Sequence, residues 1–161
     1  MYRNLLKRSP ELWIITCIVV LAGCSKGKKG PTFDLTPVAG TITLDGKPLA
    51  DAEVAFYLQG TPPAGYYGSG ARTDAEGKYQ LLTGSAQGAV PGNYKVTVSR
   101  LTDASGGAVK LDEGVDLEQL KMLGQAQESV PPQYSDLQNT VLTLTVDKGK
   151  ADGYNLELKS S

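Results

Sequence analysis

The chain has 161 residues, a formal net charge of −1 and no histidine. That balance leaves no basic field for nucleic acid, and the missing imidazole removes the commonest general base and the commonest metal ligand. Nineteen glycines and nine prolines, against two phenylalanines and one tryptophan, suit a single all-β domain with many turns.

Arg3, Lys7 and Arg8 form a basic start, and Leu12 to Leu21 form an apolar stretch too short to span a bilayer comfortably. A cleaved signal over residues 1–23 is therefore expected in preference to a transmembrane anchor. The run Leu21-Ala22-Gly23-Cys24 closely resembles the lipobox of bacterial lipoproteins. That resemblance implies that Cys24 becomes the new N-terminus and carries a thioether-linked diacylglycerol, so that the partner at this end is the membrane. Cys17 leaves with the signal, so no free thiol remains for a disulfide or a metal. Without residues 1–23 the chain keeps 13 Lys+Arg against 16 Asp+Glu, a net of −3.

Residues 24–37, rich in Lys, Gly, Pro and Thr, read as a lipid-anchored flexible tether. In lipoproteins of double-membrane bacteria, Ser after the lipidated cysteine permits sorting to the outer membrane, and Ser25 stands there. The expected address is the bacterial cell envelope, with the periplasmic face of the outer membrane or the cell surface favoured.

From Val38 the chain turns to period-2 alternation. Val38, Gly40, Ile42 and Leu44 share one face of a first run, and Ala52, Val54, Phe56 and Leu58 one face of a second. Asp45-Gly46 opens a turn that needs positive φ. The two runs read as an opening strand pair whose apolar face the rest of the chain must cover. Residues 60–70 are a loop, and Asp74-Ala75-Glu76-Gly77 is a hairpin turn feeding a strand with Tyr79 and Leu81 on one face. Tyr94, Val96 and Val98 point inward from the next strand.

The β rhythm breaks over residues 101–139, a less regular insertion. Asp116 is placed to cap a short helix near 116–124, with Leu117, Leu120 and Leu123 roughly along one side. Val130-Pro131-Pro132-Gln133-Tyr134 reads as an extended segment packing Val130 and Tyr134 back on the domain. Leu142, Leu144 and Val146 share a face of one closing strand, and Tyr154, Leu156 and Leu158 do so on the last. About seven short strands with no long helix predict a single β-sandwich over residues 38–159.

The pattern Val38-x-Gly40-x-Ile42-x-Leu44-Asp45-Gly46-Lys47-Pro48-Leu49-Ala50, then Thr73-Asp74-x-x-Gly77-x-Tyr79-x-Leu81, then Pro91-Gly92-x-Tyr94-x-Val96-x-Val98 resembles the carboxypeptidase regulatory-like domain. The later Pro131-Pro132-Gln133-Tyr134 and the two closing strands resemble a small lipoprotein variant of planctomycete-type bacteria. The resemblance implies a transthyretin-like, Ig-like sandwich, and in that family the modules are generally accessory to catalysis carried elsewhere. Its motif residues are turn and core positions, so they specify a fold and no chemistry.

The candidate contact residues are Tyr66 and Tyr67, which sit between glycines on a loop. Paired aromatics of this kind stack on sugar rings or fill a partner's pocket. The plainer arrangement puts one ring in the core and the other at the surface. Asp45, Asp51 and Asp74 lie near turns, where an Asp usually serves its own backbone, and none sits in a D-x-D-x-D loop. No metal, cofactor or catalytic residue is expected, because no Ser–Lys or carboxylate pair is singled out by spacing. The sequence thus predicts a non-catalytic envelope lipoprotein, a binding or scaffolding module engaging another envelope component, a protein or a polysaccharide. A carbohydrate-binding module for polysaccharide through the tyrosine loop, or a purely structural envelope protein, are the alternatives.

Overall fold

A computed structural model of the chain describes residues 32–109, 116–151 and 153–160. The signal, the lipobox and the tether as far as residue 31 lie outside the described residues. In chain order the strands are β1 (Ala39–Leu44), β2 (Lys47–Pro48), β3 (Glu53–Leu58), β4 (Ser69–Arg72), β5 (Lys78–Gln80) and β6 (Leu82–Thr83). They continue with β7 (Ala86–Gln87), β8 (Gly92–Ser99), β9 (Leu101–Thr102), β10 (Gln127–Glu128), β11 (Thr143–Val146) and β12 (Leu156–Leu158). Two short helices, α1 (Leu117–Met122) and α2 (Pro132–Ser135), lie between β9 and β11.

The fold is an all-β sandwich. Its first sheet is built around β1, which pairs antiparallel with β2 and β5 and parallel with β12, Ile42 opposite Leu156. Asp45 and Gly46 have φ of 51° and 76° and place Leu44 opposite Lys47, the two-residue primed turn that the Asp-Gly pair predicts. The second sheet has the order β11-β8-β3-β4-β6-β7. Within it Val54 stands opposite Val98, Phe56 opposite Val96 and Leu58 opposite Tyr94.

The two opening runs are therefore not partners, which corrects the expected strand pair: β1 belongs to one sheet and β3 to the other. The crossover between them is pinned by Thr73, which is buried. Its hydroxyl donates to the Leu49 carbonyl at 2.6 Å and accepts from the Ala52 amide at 2.8 Å, so the backbone passing between sheets keeps its hydrogen bonds. The apolar faces of both runs, facing each other, form the core. Phe56 lies at its middle, with ring centroids 6.3 Å from Tyr79 and 5.6 Å from Tyr94.

One further expectation changes. Pro131 to Tyr134 is not extended, because Pro132 opens α2; a ring that fixes φ near the helical value suits the first helical position. Val130 and Tyr134 are nevertheless buried. Helix α1 starts where expected, with the Asp116 carboxylate accepting from the amides of Glu118 (2.9 Å) and Gln119 (3.3 Å). No residue of α1 is buried, and Leu123 is exposed. The described end of the tether is docked on the sandwich, since Thr36 and Ala89 exchange main-chain hydrogen bonds at 2.8 and 2.9 Å.

Candidate functional site

The tyrosine loop joins β3 to β4 and adopts the plainer of the two arrangements. Tyr66 is 6% exposed and Tyr67 96%. One ring is buried and the other lies in solvent, so the expected paired contact surface is not formed and Tyr67 stands alone. Tyr66 meets Phe33 edge-on, centroids 5.5 Å apart, and its hydroxyl lies 2.8 Å from Ser69 Oγ and 3.0 Å from Tyr94 Oη. The chain of hydroxyls runs on from Ser69 to Thr83 (2.6 Å) and from Thr83 to the Gly88 carbonyl, while Tyr94 donates to the Val90 carbonyl. Burial, with the Tyr66 hydroxyl second, pushes the Tyr94 phenol well above its ordinary value. This network fastens the loop to β4, β6 and β8. It is a structural device.

A shallow groove of about 720 Å³ is lined by β1 and β5 of the first sheet and β4 of the second. Thr41, Arg72, Asp74, Lys78, Gln80 and Asn155 line it. Two of its side chains are engaged by main-chain amides. Asn155 accepts from the Thr41 amide at 2.9 Å, and Asp74 accepts from the amides of Glu76 (3.0 Å) and Lys78 (2.8 Å). Arg72 lies 3.9 Å from Asp51. Tyr79, the aromatic residue lining the groove, is buried and donates to the Tyr154 carbonyl, so it offers no face to a sugar ring.

Asp45, Asp51 and Asp74 are not brought together, and among the described residues no three His, Cys, Asp or Glu side chains gather as metal ligands. Asp45 instead accepts from the Ser160 amide at 3.1 Å, and its hydrogen bonds with Ser160 hold the carboxyl below the usual range.

The remaining feature is the outer edge of β11, which none of the candidate residues foreshadowed. β11 ends the six-stranded sheet, paired on one side only, with Leu144 opposite Tyr94 and Val146 opposite Gly92. The Val96 amide donates to the Leu142 carbonyl, which fixes the phase of the ladder. Antiparallel hydrogen-bonded pairs recur every second residue, so Leu142, Leu144 and Val146 turn their main chain toward β8. Thr143 and Thr145 turn theirs outward. Among the described residues no main-chain hydrogen bond beyond the sheet reaches either threonine, whereas the Val141 amide is taken by the Gln133 carbonyl at 3.1 Å. The run Val141-Leu142-Thr143-Leu144-Thr145-Val146 contains no charge, proline or glycine. Edge strands are ordinarily blunted by such residues or by bulges. Without them the run reads as an interior strand, so no signal in the sequence marks this edge. Val141 is exposed, and Leu142 and Leu144 are only half-buried.

No protein-family model and no curated protein matches the chain. Among solved structures it is similar to a 9R-lipoxygenase from Cyanothece, at 12% identity and a TM-score of 0.33. That match covers 78% of this chain and 16% of the lipoxygenase chain, and a likeness of that size carries no argument about function.

Proposed function

We propose that this chain is a non-catalytic, lipid-anchored lipoprotein of the bacterial cell envelope that engages an envelope protein by strand addition at β11. The observation that carries this reading is the open edge itself: outward amides and carbonyls at Thr143 and Thr145 on a strand without a guarding charge. An added strand would satisfy those groups and cover the flanks of Leu142 and Leu144. The lipobox at Leu21-Ala22-Gly23-Cys24 supports the anchor, and the absence of histidine supports a non-catalytic role. Membership of the carboxypeptidase regulatory-like family, which the turn and core motifs resemble, is part of the same proposal. Burial of Tyr66 removes the two-ring platform on which a polysaccharide-binding reading depended.

The test has two arms. Cys24→Ser in the full chain should abolish incorporation of a labelled fatty acid into the protein. Fragment 31–161 as bait against solubilised envelope should retain a protein saturably, and Thr145→Pro, which removes an outward donor, should abolish retention. Unchanged fatty-acid incorporation, or retention indifferent to the edge variant, would refute the corresponding half of the reading.

A further inference from the structure

Strand addition at β11 leaves the occupant of the edge to be named. Resting on that reading, we propose that the occupant is a second copy of this chain, the two β11 strands pairing antiparallel about a two-fold axis through Leu144.

The register is set by which groups are open. The Val141 amide is already bound to Gln133, so the outward donors of this edge are those of Thr143 and Thr145. One two-fold register uses both completely: Thr143 opposite Thr145 of the second copy, and Leu144 opposite Leu144. Each threonine contributes an N–H and a C=O, so the junction closes about four main-chain hydrogen bonds.

The side chains suit that register. Leu144 meets its own copy in the closely spaced, non-hydrogen-bonded position, with Cα atoms about 4.5 Å apart. Leu142 then lies beside Val146 of the second copy, and the half-buried leucines gain the cover they lack. On the outer face threonine stands beside threonine, a favourable cross-strand pair.

Charge does not oppose self-pairing. With no charged residue from Val141 to Val146, an identical strand meets no like charge across the axis. The nearest charges beyond the strand are opposite in sign. Lys95, in register with Thr143, faces Asp147 of the second copy diagonally, at about 12 Å from strand spacing and rise. The product is one continuous sheet in which two six-stranded halves share the junction.

The whole core lies within the compact unit Pro31–Ser161, which therefore carries its own stabilising cluster and can be studied alone. That fragment has no cysteine, so engineered thiols report without background. Sedimentation velocity on fragment 31–161 should show a dimer at tens of micromolar, and Thr145→Pro should weaken it at least tenfold. Leu144→Cys should form a disulfide-linked dimer on mild oxidation, whereas Thr143→Cys, two residues out of register with its own copy, should not. Thermal unfolding of each variant confirms that it is folded. A monomer at several hundred micromolar, or equal cross-linking at both positions, would overturn the proposal. A monomer that still retains an envelope protein through the wild-type edge and loses it in Thr145→Pro would overturn only the second copy. A monomer with no edge-dependent retention would remove the strand-addition reading too.

Discussion

The phenol oxygens of Tyr66 and Tyr94 lie 3.0 Å apart although the residues are 28 positions apart in the chain. This contact ties the loop after β3 to the longest strand of the sandwich. It also separates Tyr66 in role from Tyr67, its neighbour in sequence. Without the Tyr66 hydroxyl, Tyr94 keeps the Val90 carbonyl and Ser69 keeps Thr83, so what is lost is hydrogen bonding worth about 0.5–1.5 kcal/mol. Tyr66→Phe should therefore lower stability by about that amount in urea titration, while Tyr67→Ala should change it by less than about 0.5 kcal/mol.

Gly40 makes the parallel β1–β12 side of the first sheet possible. A Cβ there would sit 2.1 Å from the Tyr154 carbonyl oxygen, which is backbone and cannot swing aside. Gly40→Ala should cost more than about 2 kcal/mol, as overpacking against fixed atoms does. At Gly70 a Cβ would make an ordinary 3.5 Å contact with the Val54 carbonyl, so Gly70→Ala should be nearly neutral. Paired denaturant curves distinguish the two.

Burial keeps the Tyr79 and Tyr94 phenols neutral, with folded pKa values raised well above their ordinary 10.0. The unfolded chain ionises these groups near 10, so the stability they contribute is complete below that pH and falls as pH rises beyond it. Chemical unfolding midpoints should decline steeply above pH 10, and the phenolate absorbance of these two residues should appear together with unfolding. Ionisation of both rings in a still-folded chain would contradict this.

Asp45 behaves in the opposite sense. Its hydrogen bonds with Ser160 lower the folded pKa below 3.8, so its contribution is present above the unfolded value and lost as pH falls through the folded one. The exposed setting makes the effect small. Asp45→Asn, which still tolerates the positive φ, should differ from wild type at pH 7 and converge with it at pH 2.

Much of this molecule is legible locally. Alternation identifies β8, β11 and β12, Asp45-Gly46 announces its turn, and Asp116 announces α1, because each signal lies within a few residues of the element it specifies. Partnership is a different matter. Val38–Leu44 and Ala52–Leu58 carry the same period, and nothing in the period says that the chain crosses to the other sheet between them. The parallel pairing of Ile42 with Leu156 is a contact between distant positions, invisible to any window. At Pro131-Pro132 the local signal is ambiguous, since the same fixed φ suits an extended segment and a helix start. The candidate site obeys the same rule. Two adjacent tyrosines look alike in sequence, and only the packing of Phe33 and Tyr94 around one of them decides which is buried. The composition of β11 is plain in the sequence, but its position at a sheet edge is not.

The measurement closest to the central claim is amide hydrogen exchange at Thr143 and Thr145, taken on the full chain in its own membranes and on dilute fragment 31–161. An occupied edge predicts both amides protected at least tenfold in the membranes and exchanging rapidly in the dilute fragment, with Leu144 protected in both. Rapid exchange of the two threonines in the membranes would mean that the edge stands empty where the protein works, and strand addition at β11 would be wrong.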